Sequence, residues 1–160
     1  MNHNRIGESV LKSSASKEAG ADAIDVSVAI LIRGEQVWIQ QRSGTDHLND
    51  HWEFPGGKVE QGETVVETLV REVLEETGCR VPIELIQPIR TDLFRYSDRL
   101  LRLHFFLCLV PAEEKPRRNL NNGRWVRRQE IGGFRMPPAN QKIIEWLLDS
   151  PTFSGLSASF

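Results

Sequence analysis

Glu72, Glu75 and Glu76 stand at i, i+3 and i+4. At about 100° per residue that spacing puts three carboxylates on one face of a helix, within reach of a common point. Carboxylates so crowded raise one another's proton affinity unless cations sit among them, and donors that are all oxygen suit Mg²⁺ or Mn²⁺ rather than zinc. A divalent ion held there could bridge phosphate oxygens, neutralise the charge that develops as a phosphorus–oxygen bond breaks, and help deprotonate a water. Hydrolysis of a phosphoanhydride is a reasonable use of such a face. Three glutamates alone are more often a solvated helix surface, here with Glu67 and Arg71 as an i,i+4 ion pair.

The elements that must position these residues follow from pattern. Val65, Val66, Leu69 and Val73 approximate a helical stripe over residues 64–77, with Thr64 placed to act at its start and Gly78 where a C-terminal cap belongs. Pro55-Gly56-Gly57 is a turn signal just upstream, so residues 46–57, which lack a clean period, read as a loop built for close backbone approach. Residues 26–33 and 36–41 are β-branched and apolar around Gly34-Glu35, which predicts a hairpin. Residues 83–89, 92–96, 101–110 and 124–126 are strand-like, and the run 101–110, apolar on both faces, is expected at the centre of a sheet. Pro137-Pro138 precede a helix over 139–149 whose Ile143, Ile144, Leu147 and Leu148 recur at helical spacing. A mixed sheet covered by helices, in the α/β or α+β class, is the expected architecture.

A chain of 160 residues with ordinary apolar and charged content predicts one domain, over residues 25–149, flanked by polar tails at 1–24 and 150–160. The formal net charge of -2 offers no basic surplus for stable nucleic-acid binding, but it leaves a small charged ligand possible. Cys79 and Cys108, far apart in apolar segments, read as reduced core residues, which together with the lack of a signal-like or membrane-length apolar run predicts a cytoplasmic protein. A monomer is the default. Trp52, His47, His51 and His104 are assigned no chemistry, since isolated aromatic and histidine residues are usually packing or surface.

The segment from Gly57 to Cys79 also resembles the Nudix box: Gly57, five residues, Glu63, seven residues, Arg71-Glu72, an aliphatic, any residue, Glu75-Glu76, any residue, Gly78 and a final apolar slot filled by Cys79. Seven fixed residues at set spacing should arise by chance on the order of once in a million chains of this length. The resemblance implies a Nudix α/β/α sandwich with a mixed β-sheet and a Mg²⁺-dependent hydrolase (Mn²⁺ possible). Its metal ligands would be Glu72, Glu75, Glu76 and the carbonyl of Gly57, with Arg71 and Glu63 paired to orient the helix. Four further stretches resemble the MutT type, the 8-oxo-dGTP diphosphatases: Gln41-Arg42, residues 52–58, Asp98-Arg99 and residues 137–140. By that likeness Asn140 contacts a purine base, Phe54 lines the base pocket, Arg99 approaches the base, and Arg42 and Lys58 lie near phosphate.

The likeness departs at Arg124, where that type carries a glutamate. The general base is therefore open between Glu76, which is favoured, and Glu113, Glu114 or Glu130 from a loop. The implied reaction takes a nucleoside triphosphate, 8-oxo-dGTP above all, to monophosphate and pyrophosphate in the service of nucleotide-pool sanitation and mutation avoidance. Alternatives are another nucleotide derivative (dCTP or CTP, a nucleotide sugar, a dinucleoside polyphosphate) or a non-catalytic module that recognises oxidised guanine.

Overall fold

The computed structural model describes residues 22–42 and 50–151. Most of the expected tails, and His47, lie outside the described residues. Within them the chain runs β1 (Ile24–Arg33), β2 (Gln36–Gln41), β3 (Trp52–Glu53), β4 (Gly56–Lys58), α1 (Val65–Thr77), β5 (Ile86–Tyr96), β6 (Arg99–Leu109), a single helical turn α2 (Arg118–Asn121), β7 (Arg124–Arg127) and α3 (Gln141–Asp149). β1 pairs with β6 in parallel from Ile24↔Leu101 to Ile32↔Leu109, while its other pairings and those of β2 and β5 are antiparallel, so the sheet is mixed.

Alternation along the central strands divides the core in two. Val28, Ile30 and Ile32 of β1, with Leu103, Phe105 and Leu107 of β6, face α3 through Ile143, Ile144 and Leu147. Their neighbours Ala29, Leu31, Phe106 and Cys108 face α1 through Leu69 and Val73. Both faces of β1 and β6 are therefore buried, which accounts for their near-continuous apolar sequence. Cys79 and Cys108 are free and buried. No described helix is long and apolar enough to cross a membrane.

The hairpin forms around Gly34, whose φ of 56° is one that L side chains rarely adopt. β1 and β2 pair with each other only beside this turn, at Ile32↔Val37 and Arg33↔Gln36. Further out, β4 bonds β1 at Val26, Ser27 and Val28, and β3 bonds β2 at Gln40 and Gln41. Residues 52–58 thus bridge the two strands where their own pairing stops. This corrects the expected loop over 46–57: its second part is two short strands, invisible as a period because two or three residues cannot display one. Gly56 is required there, since a Cβ would strike the backbone of Ser27 and Val28.

Two further boundaries differ. Residues 83–85 form a turn of 3-10 helix, and the two expected strands at 83–89 and 92–96 are one, β5, with an irregularity between Pro88 and Arg90. β5 ends the sheet, where a proline removes no needed ladder bond. The last helix begins at Gln141, because residues 138–140 take a 3-10 turn started by the two prolines.

Candidate active site

α1 starts where local chemistry says it should. The Thr64 side chain accepts from the Glu67 N–H at 3.2 Å and the Glu67 carboxylate accepts from the Thr64 N–H at 2.7 Å, a reciprocal capping box. Gly78 closes the helix in the left-handed conformation, its N–H bonded to the Leu74 carbonyl. With Glu67 engaged at the cap, the ion pair that sequence suggested between Glu67 and Arg71 does not form. Arg71 turns instead to Glu63, donating from Nε at 2.6 Å and from its second terminal nitrogen at 2.9 Å. This two-pronged pair, with the Thr68 hydroxyl also donating to Glu63 at 2.7 Å, holds the Glu63 carboxyl down at about 2. Arg71 is raised in turn by Glu63 first and Glu72 second.

The same guanidinium reaches Glu72 at 2.8 Å and Glu75 at 3.4 Å. In this arrangement Glu72 and Glu75 are gathered on Arg71 while Glu76 is held apart from it, and among the described residues no three acidic, histidine or cysteine side chains converge as a metal cluster. The set nonetheless fits a hard cation. Its donors are all oxygen, and Glu72 packs so closely on Gly57 that a Cβ at Gly57 would run into the carboxylate, which puts that glycine's backbone against the cluster. Glu76 faces inward and accepts the Gly56 N–H at 2.9 Å. Burial pushes its carboxyl up to about 7, opposed by the Gly56 hydrogen bond and reinforced by the nearby charges of Glu53 and Glu72. A carboxylate so placed is a demand for positive charge.

A cavity of ≈ 330 Å³ opens beside these residues. Gly56, Gly57 and Lys58 form one wall, so the strand segment that touches Glu72 and Glu76 also lines the cavity. Val26, Val28, Leu101 and Leu103 give it an apolar floor, and Phe54, buried to 5% exposure, belongs to the core beneath. Arg42, Phe54, Lys58, Arg99 and Asn140, brought from four separate stretches of the chain, all line this one space. Asn140 is 8% exposed and makes no side-chain capping bond to α3, which counts against a purely structural role at the helix start. Arg42 bonds Glu53 at 3.2 Å, and Arg99 stands over half exposed at the mouth.

Glu53, Tyr96 and the two prolyl-flanking residues Pro137 and Ala139 also line the cavity, and sequence reasoning assigned them nothing. Glu113, Glu114 and Glu130 do not line it, and Glu114 is engaged elsewhere, accepting the Arg80 N–H at 2.9 Å. Arg124 lies 4.4 Å over the Trp52 ring, which meets Phe134 edge-on. His51 is buried, and His104 bonds Asp25 at 2.7 Å.

A NUDIX domain profile matches residues 23–147. An 8-oxo-dGTP diphosphatase from Haemophilus influenzae is 34% identical over 122 residues, 74% of this chain and 88% of that protein. One from Escherichia coli K12 is 32% identical over 128 residues, covering 76% and 93% respectively. Among solved structures, one from work on MutT of Aliivibrio salmonicida and Vibrio cholerae is similar with a TM-score of 0.66 and 28% identity, over 80% of this chain and 98% of that one.

Proposed function

We propose that this chain, which belongs to the NUDIX domain family, hydrolyses nucleoside triphosphates to the monophosphate and pyrophosphate, with 8-oxo-dGTP as the preferred substrate. The family is one of divalent-metal-dependent hydrolases, and Mg²⁺ is the ion we assign. The observation that carries the reading is the continuity of one cavity: Asn140 and Phe54 at one part of its lining, and at another the Gly56–Gly57 backbone that meets Glu72 and Glu76.

In this reading Asn140 offers a base edge both a donor and an acceptor, while Phe54 and the apolar floor exclude water from the ring. Arg99 approaches the base, and Arg42 and Lys58 approach the phosphates. Glu72, Glu75, Glu76 and the Gly57 carbonyl would hold the metal, which supplies charge neutralisation at the phosphates when bound. Arg71 and Glu63 keep the helix that carries them in register. Glu76 receives the proton of the attacking water, pyrophosphate leaves, and the monophosphate stays in the base pocket until release. The similarity to 8-oxo-dGTP diphosphatases over most of their length supports the substrate. A single domain acting as a monomer in the cytoplasm, on free nucleotides in a sanitation role, belongs to the same proposal.

The test is pyrophosphate release with Mg²⁺ from an equimolar panel of 8-oxo-dGTP, dGTP, dCTP, ADP-ribose and diadenosine tetraphosphate, with Glu76→Gln alongside. Selective turnover of 8-oxo-dGTP that the variant loses is the expected result. Equal turnover of dGTP, or preference for another panel member, overturns the substrate while leaving the family in place.

A further inference from the structure

Val37, Trp38, Ile39 and Gln40 form a run of buried residues along β2, and the last of them is an amide. Gln40 is 1% exposed, yet neither its Nε2 nor its Oε1 completes a hydrogen bond of good geometry. Burying an amide without partners is costly, and an apolar side chain of the same shape would be the more stable occupant. The position of the amide supplies a reason for keeping it.

Three elements bring their polar groups to the same place. Gln40 shares a face of β2 with Trp38, which packs against Leu69 and Val73 of α1. On α1, Leu69, Val73 and Glu76 follow at i, i+4 and i+7, so Glu76 continues the sheet-facing stripe and points toward that face of β2. Glu53 lies directly opposite Gln40 in the β2–β3 ladder, on the same side of the sheet. The amide is thus set between two inward carboxylates, close to that of Glu76.

We propose that Gln40 is a positioning residue for the metal centre, its Nε2 steering the Glu76 carboxylate so that one oxygen is held inside by the sheet while the other is presented to the cation. The Gly56 N–H already fixes Glu76 from the β4 side at 2.9 Å. A second donor from β2 would leave the carboxylate one orientation instead of a cone of them. Such outer partners of a metal ligand commonly matter about as much as some ligands do. The inference rests on the reading of Glu76 as a ligand, and its test separates the two.

Gln40→Met keeps length and volume and removes both polar atoms. Binding of Mn²⁺ to the full chain is followed by isothermal titration without nucleotide, beside thermal unfolding and steady-state turnover of 8-oxo-dGTP. The expected result is an unchanged or raised Tm, Mn²⁺ affinity weaker by roughly 10-fold, and a fall in kcat with little change in KM. Gln40→Asn, which keeps an amide but withdraws it from Glu76, should show the same loss of Mn²⁺ affinity and serves if the methionine variant does not fold. Mn²⁺ affinity within twofold of the parent, while Glu76→Gln weakens it strongly, overturns the role of Gln40 and leaves the ligand reading intact. If Glu76→Gln also binds Mn²⁺ normally, the ligand reading fails and the inference falls with it.

Discussion

Arg71 shows how much of a site can hang on a residue that need not touch substrate. It ties Glu63 in the loop before α1 to Glu72 and Glu75 on the helix. Because the Glu63 carboxyl is held at about 2, below its ordinary 4.5, the pair stabilises the fold fully above about pH 4.5 and loses that contribution as pH falls toward 2. Chemical denaturation of the parent and Glu63→Gln at a series of pH values should show a gap that is widest near neutrality and closes in acid. A constant gap would mean that the pair is not what the substitution removes. At the other part of the cavity, Asn140→Ala should lower kcat/KM for the preferred purine nucleotide by about 10- to 100-fold, the cost of leaving a base-edge hydrogen bond unmade. Mn²⁺ binding should be unaffected by this change.

At the scale of elements, α1 was the most legible part of the chain because its signals are local. A capping threonine, an apolar stripe and a closing glycine lie within fifteen consecutive positions, and all act as their residue types suggest. Thr64→Ala removes the acceptor of the Glu67 N–H and leaves the backbone bond from residue 64 to the Glu67 carboxylate, so it should cost about 1 kcal/mol in urea unfolding. β3 and β4 were not legible, since their only evidence is pairing with strands more than ten residues away. The merger of two expected strands into β5 had the same origin: Pro88 reads as a stop in one dimension and is tolerated at the edge of a sheet. Glu72, Glu75 and Glu76 could be grouped from helical spacing, whereas the other candidate site residues of the box and of the four short stretches were legible only through likeness to a family. Gln40 carried a weaker cue, a polar side chain in a strand that pattern alone would bury, and Glu53, inside the expected loop, carried none. Gly57→Ala should abolish turnover, because its Cβ collides with Glu72. Gly34→Ala, where nothing lies within 4 Å and only the positive φ is at issue, should cost about 1 kcal/mol and leave turnover intact.

Across the whole molecule, the hairpin turn of the sheet is fastened to the covering helix α3 by charge as well as by apolar contact. Arg128, 5% exposed, reaches the Glu35 carboxylate in the hairpin turn and the carbonyls of Leu147 and Ser150 at the end of α3. Arg128→Met leaves two carbonyls and an acid without this partner and should destabilise the fold by about 3 kcal/mol. The urea midpoint should fall while the slope of the transition stays the same.

The parallel pairing of β1 with β6 also sets a schedule. The two strands that form the middle of the sheet are 77 residues apart in sequence. During synthesis at roughly 5–20 residues per second, β1 emerges about 4–15 s before the strand it must lie beside. Through that interval α1 can cover one face of the apolar strand, but the edge that β6 will pair and the face that α3 will cover lack those partners. Nascent chains arrested before Leu101 should therefore be captured by chaperones and cut by proteases, and chains released past Leu109 should begin to resist both.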